Sequence, residues 1–182
     1  MKKQLSKWVV IVLLFAPILL TNCSEEEEDA VLRENSFVFD NKVYDTQKGA
    51  LVNFGLSNST STNADYYLHL YNSSLVFTDA GKDDGVNPFT GTGSKVLIYL
   101  QATPNVLETT GGIFNYIPRG DNSGVRYVLL AEVDKFNSST DYSTHKVQIS
   151  KAGDIYTITY SGTLENKSFE GKYKGPLTYH NE

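Results

Sequence analysis

From about residue 36 onward, apolar and polar residues alternate in short runs divided by turn-forming clusters. A period of two is the signature of strands, whose successive side chains point to opposite faces. Phe37-Val38-Phe39, Asp40-Asn41 and Lys42-Val43-Tyr44 predict a tight hairpin. Residues 50–56 predict a strand, 57–63 a Ser/Thr/Asn loop, and 65–77 a strand with a break at Asn72-Ser73-Ser74. Residues 78–93 form the longest predicted loop, rich in Gly and Asp. Val96, Leu97, Ile98, Tyr99 and Leu100 follow one another without a polar break, which suits a central strand covered on both faces. Residues 124–133 read alike, and 113–117 predict a shorter strand after Gly111-Gly112. The end of the chain is a meander: residues 145–150, a turn at Ala152-Gly153-Asp154, then 154–160 with Tyr156, Ile158 and Tyr160 on one face, and finally 169–177. No long window carries helical periodicity. Roughly ten short strands at this spacing predict an all-β domain, an antiparallel β-sandwich, with a closed β-barrel as the alternative.

The N-terminus obeys a different pattern. Lys2, Lys3 and Lys7 precede a thirteen-residue apolar run, 8–20. A membrane-spanning helix needs roughly 20 apolar residues. The shorter run, with Pro17 inside it, reads as the core of a secretory signal. It ends in Leu20-Thr21-Asn22-Cys23, and Cys23 is the chain's one cysteine. This resembles a bacterial lipobox, with Asn22 where glycine, alanine or serine is usual. The resemblance implies a diacylglycerol thioether on the Cys23 sulfur, cleavage before it, and anchorage by two or three acyl chains. Such chains hold because each buried CH₂ contributes about 0.8 kcal/mol. An odd exposed thiol outside the cell would be a liability, and lipidation removes it.

Ser24, Glu25, Glu26, Glu27, Glu28 and Asp29 follow at once. This solvated, self-repelling run has nothing to bury and reads as a tether. It also resembles the export signal of Bacteroidetes-type surface lipoproteins, which implies delivery to the exterior of the outer membrane by lipoprotein processing and export machinery. The expected organisation is a signal over 1–22, a lipidated cysteine and acidic tether over 23–35, and one sandwich domain over 36–182. The sequence Val147-x-Ile149, Gly153-Asp154-x-Tyr156-x-Ile158, Gly171-x-Tyr173-x-Gly175-x-Leu177 is similar to the ending of small all-β Bacteroidetes lipoproteins of unassigned function.

Charge narrows the range of partners. Losing residues 1–22 removes three lysines and no acid, so Lys+Arg falls from 16 to 13 against 21 Asp+Glu and the net charge becomes −8. That balance argues against nucleic acid and against electrostatic adhesion to anionic lipid. It leaves the membrane, through the anchor, and a glycan or surface protein as expected partners.

Candidate chemistry is sparse. His69, His145 and His180 are widely spaced and no second cysteine is present to complete a zinc set. A Gly-x-Ser-x-Gly elbow and a phosphate loop with lysine are both missing; Gly91-x-Gly93 with Lys95 is a loop running into a strand. Asp79, Asp83 and Asp84 offer carboxylates for calcium, but Lys82 interrupts them and the alternating ligand order is lacking. Glu132 and Asp134 stand two apart on a predicted strand, where a glycosidase pair would share a face. No cofactor and no enzymatic activity are expected. Tyr67, His69 and Tyr71 alternate on one strand face, opposite Tyr66, Leu68 and Leu70. Flat rings with polar tips stack on sugars and bond their hydroxyls, which makes Tyr67, His69 and Tyr71 the candidate ligand contacts. The expected function is a non-catalytic binding or structural module on a surface lipoprotein. The alternatives are an adhesin or pilus-like assembly subunit and an enzyme acting on envelope or environmental polymers.

Overall fold

A computed structural model describes residues 30–78, 88–117, 123–132, 135–136, 145–164 and 166–181. Among them, two six-stranded sheets face each other across one core, and neither closes into a barrel. The chain opens with β1 (Ser36–Phe39) and β2 (Lys42–Asp45), the predicted hairpin. Its turn residues Asp40 and Asn41 take φ of 51° and 56°. Both therefore sit in the left-handed region that a two-residue hairpin turn needs and that Asp and Asn tolerate. Phe37 and Tyr44 are cross-strand partners and their rings stack at 4.8 Å.

β3 (Lys48–Leu56) and β4 (Ala64–Tyr71) follow, then the two-residue β5 (Val76–Phe77) and β6 (Phe89–Thr90). β7 (Ser94–Ala102) is buried along almost its whole length, as its unbroken apolar run predicts. A single helical turn, α1 (Val106–Thr109), leads to β8 (Gly111–Asn115). Then come β9 (Gly124–Glu132), β10 (Lys135–Phe136), β11 (Lys146–Ala152), β12 (Ile155–Leu164), β13 (Lys167–Gly175) and β14 (Thr178–Asn181).

The first sheet has the order β2-β1-β13-β12-β11-β8 and the second β10-β9-β7-β4-β3-β14. The predicted C-terminal meander is the centre of the first sheet, and it sends Tyr156, Ile158 and Tyr160 inward together. From the second sheet come Leu51, Tyr66, Leu68, Leu70, Val96, Ile98 and Leu100. Gly171 stands opposite Tyr160 in the register, and a Cβ there would lie 2.0–2.3 Å from the Tyr160 ring. The absent side chain is what lets that ring lie in the core.

Four elements were invisible to periodicity, one of them β10, just past the predicted strand over 124–133. β6 lies inside the predicted loop and pairs with β5 as a two-stranded ribbon. α1 is one turn long, too short to show a helical repeat. β14 runs parallel to β3, whereas the other named strands pair antiparallel, and carries the last described residues from the first sheet to the edge of the second.

Candidate functional site

β4 is the strand whose two faces carry the candidate contacts. Its inner residues, Tyr66, Leu68 and Leu70, are fully buried between the sheets. Tyr67, His69 and Tyr71 do share the outer face, as the period of two requires. The ribbon β5–β6 lies over part of that face. His69 is 0% exposed, with the rings of Phe77 and Phe89 at 5.5 and 5.4 Å. Tyr71 is 6% exposed and meets Phe89 at 4.8 Å, while Leu75 and Ala50 complete the cluster. Tyr67 is half-buried, its ring edge-on to Phe54 at 4.8 Å and to Tyr99 at 5.1 Å. The three residues are thus brought together, and Tyr67 is the most exposed of them. The covering signal was Phe89, an isolated aromatic in a Gly/Asp-rich stretch.

The same face holds Lys95, which is 2% exposed with Nζ 5.1 Å from the centre of the Phe89 ring. Burial alone pulls its ammonium down to about 8. Further along, Asp65 Oδ1 accepts hydrogen bonds from Ser57 Oγ at 2.6 Å and Gln101 Nε2 at 2.7 Å. Arg126 in turn donates to the Gln101 side-chain oxygen. Burial, reinforced by the charge of Asp65, raises the Tyr99 phenol well above its ordinary range. This network joins β4, β7, β9 and the 57–63 loop.

A second polar cluster sits where α1 meets the sheets. Glu108 Oε1 accepts from Tyr179 Oη at 2.8 Å and from Asn53 Nδ2 at 3.3 Å. Lys151 Nζ donates to the Glu108 carbonyl at 2.6 Å. Tyr66 Oη accepts from the Asn105 amide at 3.0 Å, and burial pushes its phenol up to about 12. Sequence reasoning missed Glu108, because its partners lie on β3, β4, β11 and β14.

The histidines separate into two places. His180 lies over Phe77 at 4.8 Å, so it shares that ring with His69, and a hollow of about 260 Å³ opens beside it between Lys48, Tyr71 and Thr178. His145 is 2% exposed and packs on Phe169. Among the described residues, no three His, Cys, Asp or Glu side chains gather into a metal-holding group. Cys23, the run 24–29, the Asp79, Asp83 and Asp84 loop and Asp134 lie outside the described residues; Glu132 ends β9. Comparison with protein-family models, curated proteins and solved structures finds no match for this chain.

Proposed function

We propose that this chain is a lipid-anchored lipoprotein of the outer membrane, displayed toward the exterior, whose sandwich is a non-catalytic binding or structural module. The observation that carries the reading is the placement of the single cysteine. Cys23 closes an apolar run and is followed by Ser24, four glutamates and Asp29, with only residues 24–35 between it and Ser36, the first residue of β1. Residues 30–35 are already held to the domain, Ala30 N donating to Asn41 Oδ1 at 2.7 Å and Arg33 meeting Asp45 at 3.4 Å. The free tether is therefore 24–29, and a flexible coil of that length would reach about 13 Å, and more when its charges repel. That reach holds a sandwich clear of lipid head groups while the acyl chains stay in the bilayer. No helix among the described residues is long and apolar enough to cross a membrane. The partners follow: the membrane through the anchor, the machinery that processes and exports it, and a glycan or surface protein at the sandwich.

Fractionation of cells tests the anchor. Wild-type protein is expected in the membrane fraction and Cys23→Ala in the soluble one. Wild-type protein found wholly soluble with an intact thiol ends the proposal.

A second reading, an assembly subunit that exchanges strands, is favoured by β14. This four-residue strand is mostly exposed, ends the described chain, and occupies the edge of a sheet by parallel pairing. Size-exclusion chromatography of the full-length chain separates the two readings: concentration-dependent oligomers support exchange, and a monomer supports the module.

A further inference from the structure

The outer face of the first sheet is built unlike the outer face of the second. Nothing among the described strands lies over it, and the register sets its side chains in a grid. Glu170, Ser161 and Lys146 stand in one row across β13, β12 and β11. Lys172, Thr159 and Gln148 form the next row, and Lys174, Thr157 and Ser150 the one after. Strands lie about 4.8 Å apart and same-face neighbours along a strand about 7 Å apart, so the first two rows fall within the span of a short oligomer. The surface is hollowed rather than flat. One hollow of about 320 Å³ is lined by Leu32, Lys146, Gln148, Thr159, Ser161, Glu170 and Lys172 among others, and a second of about 440 Å³ adjoins it, sharing Ser161 and Glu170. Both are open depressions on the sheet rather than enclosed clefts.

Two further facts describe the chemistry of this face. Among the described residues, the side chains of Lys146, Gln148, Thr159, Ser161, Glu170 and Lys172 make no hydrogen bond or ion pair with one another or with a neighbour, so their bonding capacity faces outward. The sign of charge is also inverted. The chain carries a net charge of −5 with five acids in the 25–29 run, yet this grid holds three lysines to one glutamate.

We infer that this face binds an anionic polysaccharide bearing carboxylates between free hydroxyls, such as a uronic acid polymer. The inference rests on the binding-module reading and names its ligand class. Lys146 and Lys172, at opposite corners of the first two rows, meet the carboxylates, Ser161 and Thr159 between them bond ring hydroxyls, and Gln148 and Glu170 bond hydroxyls at the other two corners.

The test uses the full-length chain purified in detergent, with immobilised polygalacturonate and hyaluronate as probes, dextran as the neutral control and a DNA duplex as the rival anion. Wild-type protein is expected to bind at least one uronic polymer, to release it as salt rises, and to ignore dextran. The double variant Lys146→Gln with Lys172→Gln is expected to bind about tenfold more weakly with an unchanged melting temperature, the effect of losing two exposed ion pairs. Failure to bind both polymers, equal binding by the double variant, or DNA bound as tightly as the polymers overturns the inference. Dextran binding that ignores both lysines overturns this site while keeping the module reading. None of these outcomes touches the Cys23 fractionation, so the two readings fail separately.

Discussion

At the scale of single residues, burial decides what each polar or aromatic group does. Tyr71 has an aromatic's affinity for a ligand, but at 6% exposure it serves the cluster under Phe77 and Phe89. Tyr71→Ala is therefore expected to cost about 3 kcal/mol in a urea melt, as large-to-small core changes do. A loss under 1 kcal/mol would mean the ring is dispensable for packing. Lys95 shows the electrostatic counterpart. Its ammonium is held at about 8, below its ordinary 10.5, because the buried charge lacks water. Between those two values the unfolded chain binds the proton and the folded chain does not, so folding gains stability as pH rises through that window. The buried tyrosines have raised values, so they remove stability above about pH 10, when the unfolded phenols ionise. Wild-type protein should thus gain stability from pH 7 to 9.5 relative to Lys95→Met, in parallel urea melts. Equal slopes for the two would exclude a desolvated ammonium. Gly171 makes the steric case: Gly171→Ala should cost about 3 kcal/mol, because its Cβ would overlap the Tyr160 ring, and the second change Tyr160→Leu should recover part of that loss.

At the scale of elements, β14 has the most to explain. It covers the edge of β3, where Ala50, Leu51 and Val52 are all buried, and Tyr179 secures it to Glu108 and Asn53. An uncovered edge of that composition is a template for another strand. Removing residues 178–182 should lower the melting temperature and produce concentration-dependent oligomers on size-exclusion chromatography. A truncated chain that stays monomeric would show that the β3 edge needs no cover. The ribbon β5–β6 plays the same part on the face of the second sheet that β14 plays at its edge. Each covers apolar surface that the long strands leave open.

At the scale of the molecule, the two outer faces have opposite fates. That of the second sheet is covered in part by the ribbon, with polar networks beside it, and that of the first is covered by none of the described strands. Replacing Glu25, Glu26, Glu27 and Glu28 by alanine is expected to leave membrane association intact and to move the protein from the exterior to the inner leaflet, read by protease shaving of intact cells. Equal shaving of both forms would reduce the run to a spacer.

The all-β class, the β1–β2 hairpin, the doubly covered β7 and the inward set Tyr156, Ile158 and Tyr160 are all legible in the sequence, because each rests on neighbours within one strand or one turn. So is the split of β4 into a core face and an outer face. Contacts between distant segments are different, since nothing in a local pattern records them. That Phe89 would return over His69 and Tyr71, that Glu108 would gather Tyr179 and Asn53, and that the last strand would pair in parallel with β3 were decided only when the sheets packed. The grid of Lys146, Ser161 and Glu170 belongs to the same class: its residues lie on three strands, and register alone makes them neighbours. Periodicity says which face a side chain takes, and tertiary packing says whether that face meets water, a ligand or the rest of the chain.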